Sequence, residues 1–123
     1  MSASQRKKGQ RGENNVCKAY KQLGIFPDAR RNLNDFNEAR GIDLAETGNL
    51  AHQIKHYKNH VSISKINEIK PTGNQIPVLI SWPTNRKDKP TVTVFFDDWL
   101  RILDDIGVVY DDMFTCCGRG GHE

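Results

Sequence analysis

Glu13, Asp43, Gln53 and Lys55 bring two carboxylates, an amide oxygen and an ammonium. The last three fall in the stretch GIDLAETGNLAHQIKHYK, residues 41–58. Two short apolar runs, 42–44 and 50–55, flank Gly48-Asn49, which is the pattern of a β-hairpin. Gln53 and Lys55 stand two apart on the second strand and share a face, while Ile54 points the other way. A carboxylate, an amide oxygen and an ammonium on one side of a hairpin make poor core material. They suit a hard cation and a phosphate. Glu13 lies three residues before Val16 in a helical pattern, so it continues the apolar stripe and should point toward the body of the domain.

The elements that must hold these residues can be read from periodicity. Val16, Tyr20 and Leu23 recur at helical spacing over 9–23, and Gly24 provides a stop. Residues 28–33 suit a short strand and 34–41 a polar loop; the hairpin follows. Ile63, Ile66 and Ile69 predict a helix over 61–70, ended by Pro71. PVLISW, 77–82, is a continuous apolar run of buried-strand length. NRKDKP is a turn, and TVTVFF, 91–96, a strand. Asp97 or Asp98 can cap a last helix with Trp99, Leu100, Leu103 and Ile106 on one face. The expected order is α-β-β-β-α-β-β-α, an α/β domain with one mixed sheet flanked by helices. Residues 1–8 are expected to be a flexible basic N-terminus, 9–110 the domain, and 111–123 a flexible tail.

The chain has 123 residues, 37% of them hydrophobic, enough for one domain with a modest core. It has no long apolar run and no secretory signal, so a membrane span is not expected. Three cysteines, two of them adjacent, do not make a disulfide framework, and a reducing cytoplasmic or nucleoid-associated setting is expected. A zinc site from Cys116, Cys117 and His122 would have the wrong spacing for a knuckle. Residues 1–70 hold 13 Lys and Arg against 7 Asp and Glu, whereas residues 71–123 hold 5 against 8. The basic half contains the hairpin, which points to a polyanionic partner. Lys7, Lys8, Arg11, Arg30, Arg31 and Lys58 are the expected phosphate contacts. His52 and His56 alternate away from Gln53 and Lys55; with His60 they are expected at the surface or on phosphates.

In order and spacing these pieces resemble the PD-(D/E)XK nuclease superfamily, and within it the Holliday-junction resolvases of archaeal type. Lys8-Gly9-Gln10-Arg11-Gly12-Glu13 is similar to the family's opening helix, and Arg30-Arg31 to its basic second strand. Gly41-Ile42-Asp43-Leu44 matches the aspartate strand, and Gln53-Ile54-Lys55 the (D/E)-X-K strand. Ile76-Pro77-Val78-Leu79 matches a later buried strand. The resemblance covers residues 8 to about 100.

The resemblance implies a restriction-endonuclease-like fold and a Mg²⁺-dependent DNA endonuclease, with Mn²⁺ able to substitute. Branched or junction DNA would be the substrate and a homodimer the working form. It implies that Asp43, Gln53 and Glu13 hold the metal and that Lys55 orients water or stabilises charge at phosphorus. The family usually has Glu or Asp where this chain has Gln53. An amide oxygen still binds a metal but brings no charge and takes no proton. Glu46 is the nearest carboxylate in sequence, but in a regular strand it would face away from Asp43. The alternatives are a less selective DNA nuclease of the same fold and a DNA-binding module that has lost catalysis.

Overall fold

The computed structural model describes residues 3–34, 36 and 39–106, with side chains from Gly9 onward within that range. The side chains of Lys7 and Lys8, and the tail with Cys116, Cys117 and His122, lie outside the described residues. Helix α1 spans Ala3–Leu23. It starts ahead of the expected Gly9, so most of the stretch read as a flexible arm is helical. The Gln-Arg-Lys-Lys run has good helix propensity and no proline to stop it. At the other end Gly24 adopts φ 71°. The Gly24 and Ile25 N–H groups donate to the Lys21 and Tyr20 carbonyls, a left-handed glycine cap.

Strand β1 (Arg30–Arg31) pairs antiparallel with β2 (Leu44–Ala45), with Arg31 opposite Leu44. Strand β3 (Leu50–Lys55) lies parallel to β4 (Ile76–Ser81), and β5 (Thr91–Thr93) pairs antiparallel on the far side of β4. The expected hairpin is therefore not a ladder. Its arms meet where the Asp43 N–H donates to the His52 carbonyl at 2.7 Å. The connection carries two left-handed residues, Glu46 at φ 61° and Gly48 at φ 63°, instead of a tight two-residue turn, and Leu44–Ala45 pairs with β1.

β4 is buried at every position because both faces of the sheet are covered. On one face Ile76, Val78 and Ile80 join Ile54, Leu44 and Ala29 under Val16 and Cys17 of α1. On the other, Leu79 and Ala51 pack with Ile42, Ile66 and Ile69. Ile66 and Ile69 belong to, or directly follow, a 3₁₀ helix, Ile63–Glu68, where an α-helix was expected. A three-residue apolar spacing suits three residues per turn, and Ser62 caps the start by accepting from the Ser64 N–H. Helix α2 spans Phe96–Asp105. Phe95, not Asp97 or Asp98, is its N-cap, since the strand before it ends at Thr93. α2 carries no buried residue: Ile102 and Leu103 are half-buried, while Trp99, Leu100 and Ile106 are exposed.

The molecule is thus a mixed α/β domain with a small mixed sheet, α1 on one face and the 3₁₀ segment on the other. Among the described residues no helix is long and apolar enough to cross a membrane.

Candidate functional site

Strand β3 is an edge strand, since β4 occupies only one of its sides. Asp43 stands against its other side. The Ile54 N–H donates to Asp43 Oδ2 at 2.8 Å, and the Asn32 N–H donates to the Asp43 carbonyl at 2.8 Å. Asn32 Nδ2 also donates to the Ile42 carbonyl at 2.7 Å. Asp43 is thereby fixed through main chain on both sides and through its own carboxylate. The carboxylate sits one peptide from Gln53 and one residue from Lys55.

Gln53 and Lys55 share the β3 face that looks toward the 3₁₀ helix. Gln53 is 8% exposed, and its Oε1 is buried without a hydrogen-bond partner. An unpaired buried amide oxygen costs about 1–3 kcal/mol. Lys55 Nζ lies 3.3 Å from Glu68 Oε1, and Lys65 holds the other oxygen of that carboxylate at 3.1 Å. Hydrogen bonds from Lys65 and then Lys55 hold the Glu68 carboxyl below its ordinary range, with charge attraction from both adding to them.

Glu13 arrives from the opposite face. Gly12 lets α1 press onto the end of β3: a Cβ there would come 2.8 Å from His56 Cβ and 3.1 Å from Ile54 Cγ2. The next residue, Glu13, accepts from Arg31 Nε at 2.8 Å. Arg31 is paired with Leu44, the neighbour of Asp43. Asp43, Gln53 and Lys55 therefore border the free edge of β3, while Glu13 lies on the α1 side and is tied to the neighbouring β1–β2 ribbon through Arg31. The Glu13 expectation of an inward-pointing carboxylate corresponds to a half-buried side chain. Sequence reading missed its cation.

Arg31, expected to contact phosphate, is engaged with Glu13 and one-third exposed. Arg30 is exposed and lies 3.8 Å from Glu46 across the β1–β2 ribbon. Glu46 is thus held away from β3. Arg11 and Lys58 are exposed. Arg11 lines an open cleft with His56, Trp82, Asn85 and Arg86. Arg86 was not among the expected contacts; its signal was the density of basic residues in NRKDKP.

The histidines divide. His52 is completely buried, against the expectation of a surface role, with Nε2 2.7 Å from the Tyr20 hydroxyl. It faces α1 because β3 alternates and α1 covers that side. Burial pushes its pKa down to about 4, with the Leu50 backbone opposing, so it is neutral at neutral pH. His56 Nδ1 lies 2.8 Å from the Trp82 carbonyl, and His60 Nδ1 lies 2.8 Å from Ser81 Oγ.

Among the described residues no three His, Cys, Asp or Glu side chains are grouped to hold a metal ion. The hard-oxygen donors at the β3 edge are instead the Asp43 carboxylate and the Gln53 amide, with Glu13 on the α1 side beside Arg31. Comparison with protein-family models, curated proteins and solved structures finds no match for this chain.

Proposed function

We propose that this protein is a metal-dependent DNA endonuclease of restriction-endonuclease-like fold that hydrolyses phosphodiester bonds, with branched DNA as its preferred substrate. The observation that carries the reading is the β3 edge. Asp43 is pinned at the Ile54 N–H between Gln53, whose buried oxygen lacks a partner, and Lys55. An orphaned buried oxygen beside a carboxylate is the donor set a hard cation satisfies, so Mg²⁺, or Mn²⁺ in its place, fits these residues. Asp43 and Gln53 would hold it, with Glu13 reaching it directly or through water. When bound, the cation supplies Lewis acidity toward the phosphate and lowers the pKa of water.

The chain's own residues do the rest. Lys55 donates to a non-bridging phosphate oxygen or to the attacking water, stabilising charge as the new P–O bond forms and the scissile one breaks. Gln53 cannot accept a proton, so it is not the general base. Arg31 orients Glu13. Arg11, Arg30 and Lys58, with Lys7 and Lys8, position the DNA through its phosphates without reading bases. Paired cuts across a junction need two copies of this site, so the working form is a homodimer. A cytoplasmic or nucleoid-associated setting follows from a DNA substrate.

Two other readings compete: a less selective nuclease on the same fold, and a DNA-binding module in which Gln53 marks lost catalysis. Retention of Asp43 and Lys55 together favours an enzyme. Incubation with supercoiled plasmid and with a four-way junction, with and without Mg²⁺, separates the three. The expected result is Mg²⁺-dependent cutting of the junction well above the plasmid. Equal cutting of both would favour the unselective nuclease. Tight binding without cutting in either metal would favour the binding module.

A further inference from the structure

Resting on that nuclease reading, we propose that Glu68 supplies, from the 3₁₀ helix, the carboxylate that Gln53 lacks, as a ligand to the divalent cation. Position 53 offers a neutral oxygen, so Asp43 and Gln53 together bring a single negative charge. The Gln53 oxygen is more than nine-tenths buried and has no partner, and its strand face is the one covered by the 3₁₀ segment. Glu68 is on that segment and reaches the same face: its Oε1 is 3.3 Å from Lys55 Nζ, two residues along from Gln53.

The backbone brings the two groups together as well. A Cβ on Gly41 would lie 2.8 Å from the Glu68 carbonyl oxygen and 3.1 Å from Gln53 Nε2. The glycine that opens the Asp43 segment is therefore the point against which Glu68 and the Gln53 amide both rest. Burial of Ile66 and Ile69 fixes the turn that carries Glu68, while its side chain stays 44% exposed and reachable by a solvated ion. Glu46 pairs with Arg30 on the β1–β2 ribbon, and Glu13, paired with Arg31, comes from the α1 side, so Glu68 is the carboxylate on the Gln53–Lys55 face. With Glu68 the site gains a second negative charge on the Gln53–Lys55 face, and Lys55 and Lys65 hold the carboxylate in place beforehand.

Mn²⁺ titration of the full-length protein by calorimetry tests this without any cleavage assay. Glu68→Gln is expected to weaken Mn²⁺ binding by at least about tenfold, the order of effect of removing one anionic ligand at partial exposure. Gln53→Glu added to Glu68→Gln is expected to restore it, because the carboxylate returns to the strand. In a Lys55→Met background the Glu68→Gln loss persists if Glu68 touches the ion, and it vanishes if Glu68 merely holds Lys55. Circular dichroism of each variant checks that the fold is kept. Unchanged Mn²⁺ affinity in Glu68→Gln, with Asp43→Asn losing it, would overturn the role of Glu68 and leave the metal site standing. No Mn²⁺ binding by the unmutated protein would overturn both.

Discussion

Two buried polar side chains on adjacent positions of β3 each leave one polar atom without a partner, on opposite faces of the strand. Gln53 leaves an oxygen unpaired, and nothing in the packing rewards that. Gln53→Met keeps the volume and removes the orphan, so it should stabilise the fold by about 1 kcal/mol in urea denaturation while losing Mg²⁺ affinity. Gln53→Glu should do the reverse: a lower Tm in a chelator, a higher Tm with Mg²⁺, and an unchanged or faster rate. If both variants leave Tm unmoved in either condition, the unpaired oxygen has no energetic meaning. His52 is satisfied at Nε2 by Tyr20, leaves its buried Nδ1 unpaired, and is kept neutral by burial. Its folded pKa of about 4 lies below its ordinary 6.5, so the unfolded chain takes up the proton first as pH falls. The stability that neutral His52 contributes is full above pH 6.5 and lost down to pH 4, by up to about 3 kcal/mol. Denaturation curves across that window should show the loss, and His52→Gln should flatten it. An equally steep decline in His52→Gln would place the acid sensitivity elsewhere.

At the scale of elements, two glycines set the distances. Gly12 brings α1 onto Ile54 and His56, and Gly41, at φ 74°, brings the Asp43 segment onto the Glu68 carbonyl. Gly12→Ala must push α1 off β3, and Gly41→Ala adds a left-handed strain to a backbone clash. Each should cost about 1–3 kcal/mol, Gly41→Ala the more, and each should lower Mg²⁺ affinity out of proportion to stability. Wild-type stability in both would mean that these contacts are looser than drawn. α1, the buried strand β4 and the placing of Gln53 and Lys55 on one face were legible in the sequence, because apolar period and alternation decide them locally. The rest depends on partners distant in sequence. Leu44–Ala45 chose β1 over β3, a choice no local pattern carries. Ile63, Ile66 and Ile69 fit a helix of either 3.0 or 3.6 residues per turn, and only the packing of Ile66 and Ile69 on Leu79 settles it. α2 is amphipathic, yet among the described residues only Ile102 and Leu103 of its apolar side are half-buried, so pattern alone overstated its part in the core. Glu68 carried no signal beyond lying three residues from Lys65; its meaning comes from contact with Lys55.

For the whole molecule the charge is uneven, and the basic half holds the β3 edge. If phosphates are tracked by Arg11, Arg30, Lys58 and the basic start of α1, DNA affinity should fall steeply with salt, with a slope near −0.9 per phosphate contacted. Arg11→Glu should weaken binding to all DNA about equally and make that slope shallower; an affinity indifferent to salt would rule out the electrostatic reading. Among the described residues, β5 and α2 expose neighbouring apolar side chains, Val92, Phe96 and Trp99 among them, a surface open to a second copy. Sedimentation at micromolar concentration should give about twice the monomer mass, and a monomer that still makes paired cuts would contradict that assembly. On the proposed reading, Asp43 and Lys55 perform metal-dependent hydrolysis of DNA. Its most direct test is single-turnover cleavage of a four-way junction in Mg²⁺ by the unmutated protein, Asp43→Asn and Lys55→Ala, with junction binding measured in parallel. Asn still accepts from the Ile54 N–H, and Lys55 belongs to neither apolar core cluster, so both variants should fold and bind. Cleavage by the unmutated protein and none by either variant is expected; cleavage at the unmutated rate by both would remove Asp43 and Lys55 from the chemistry.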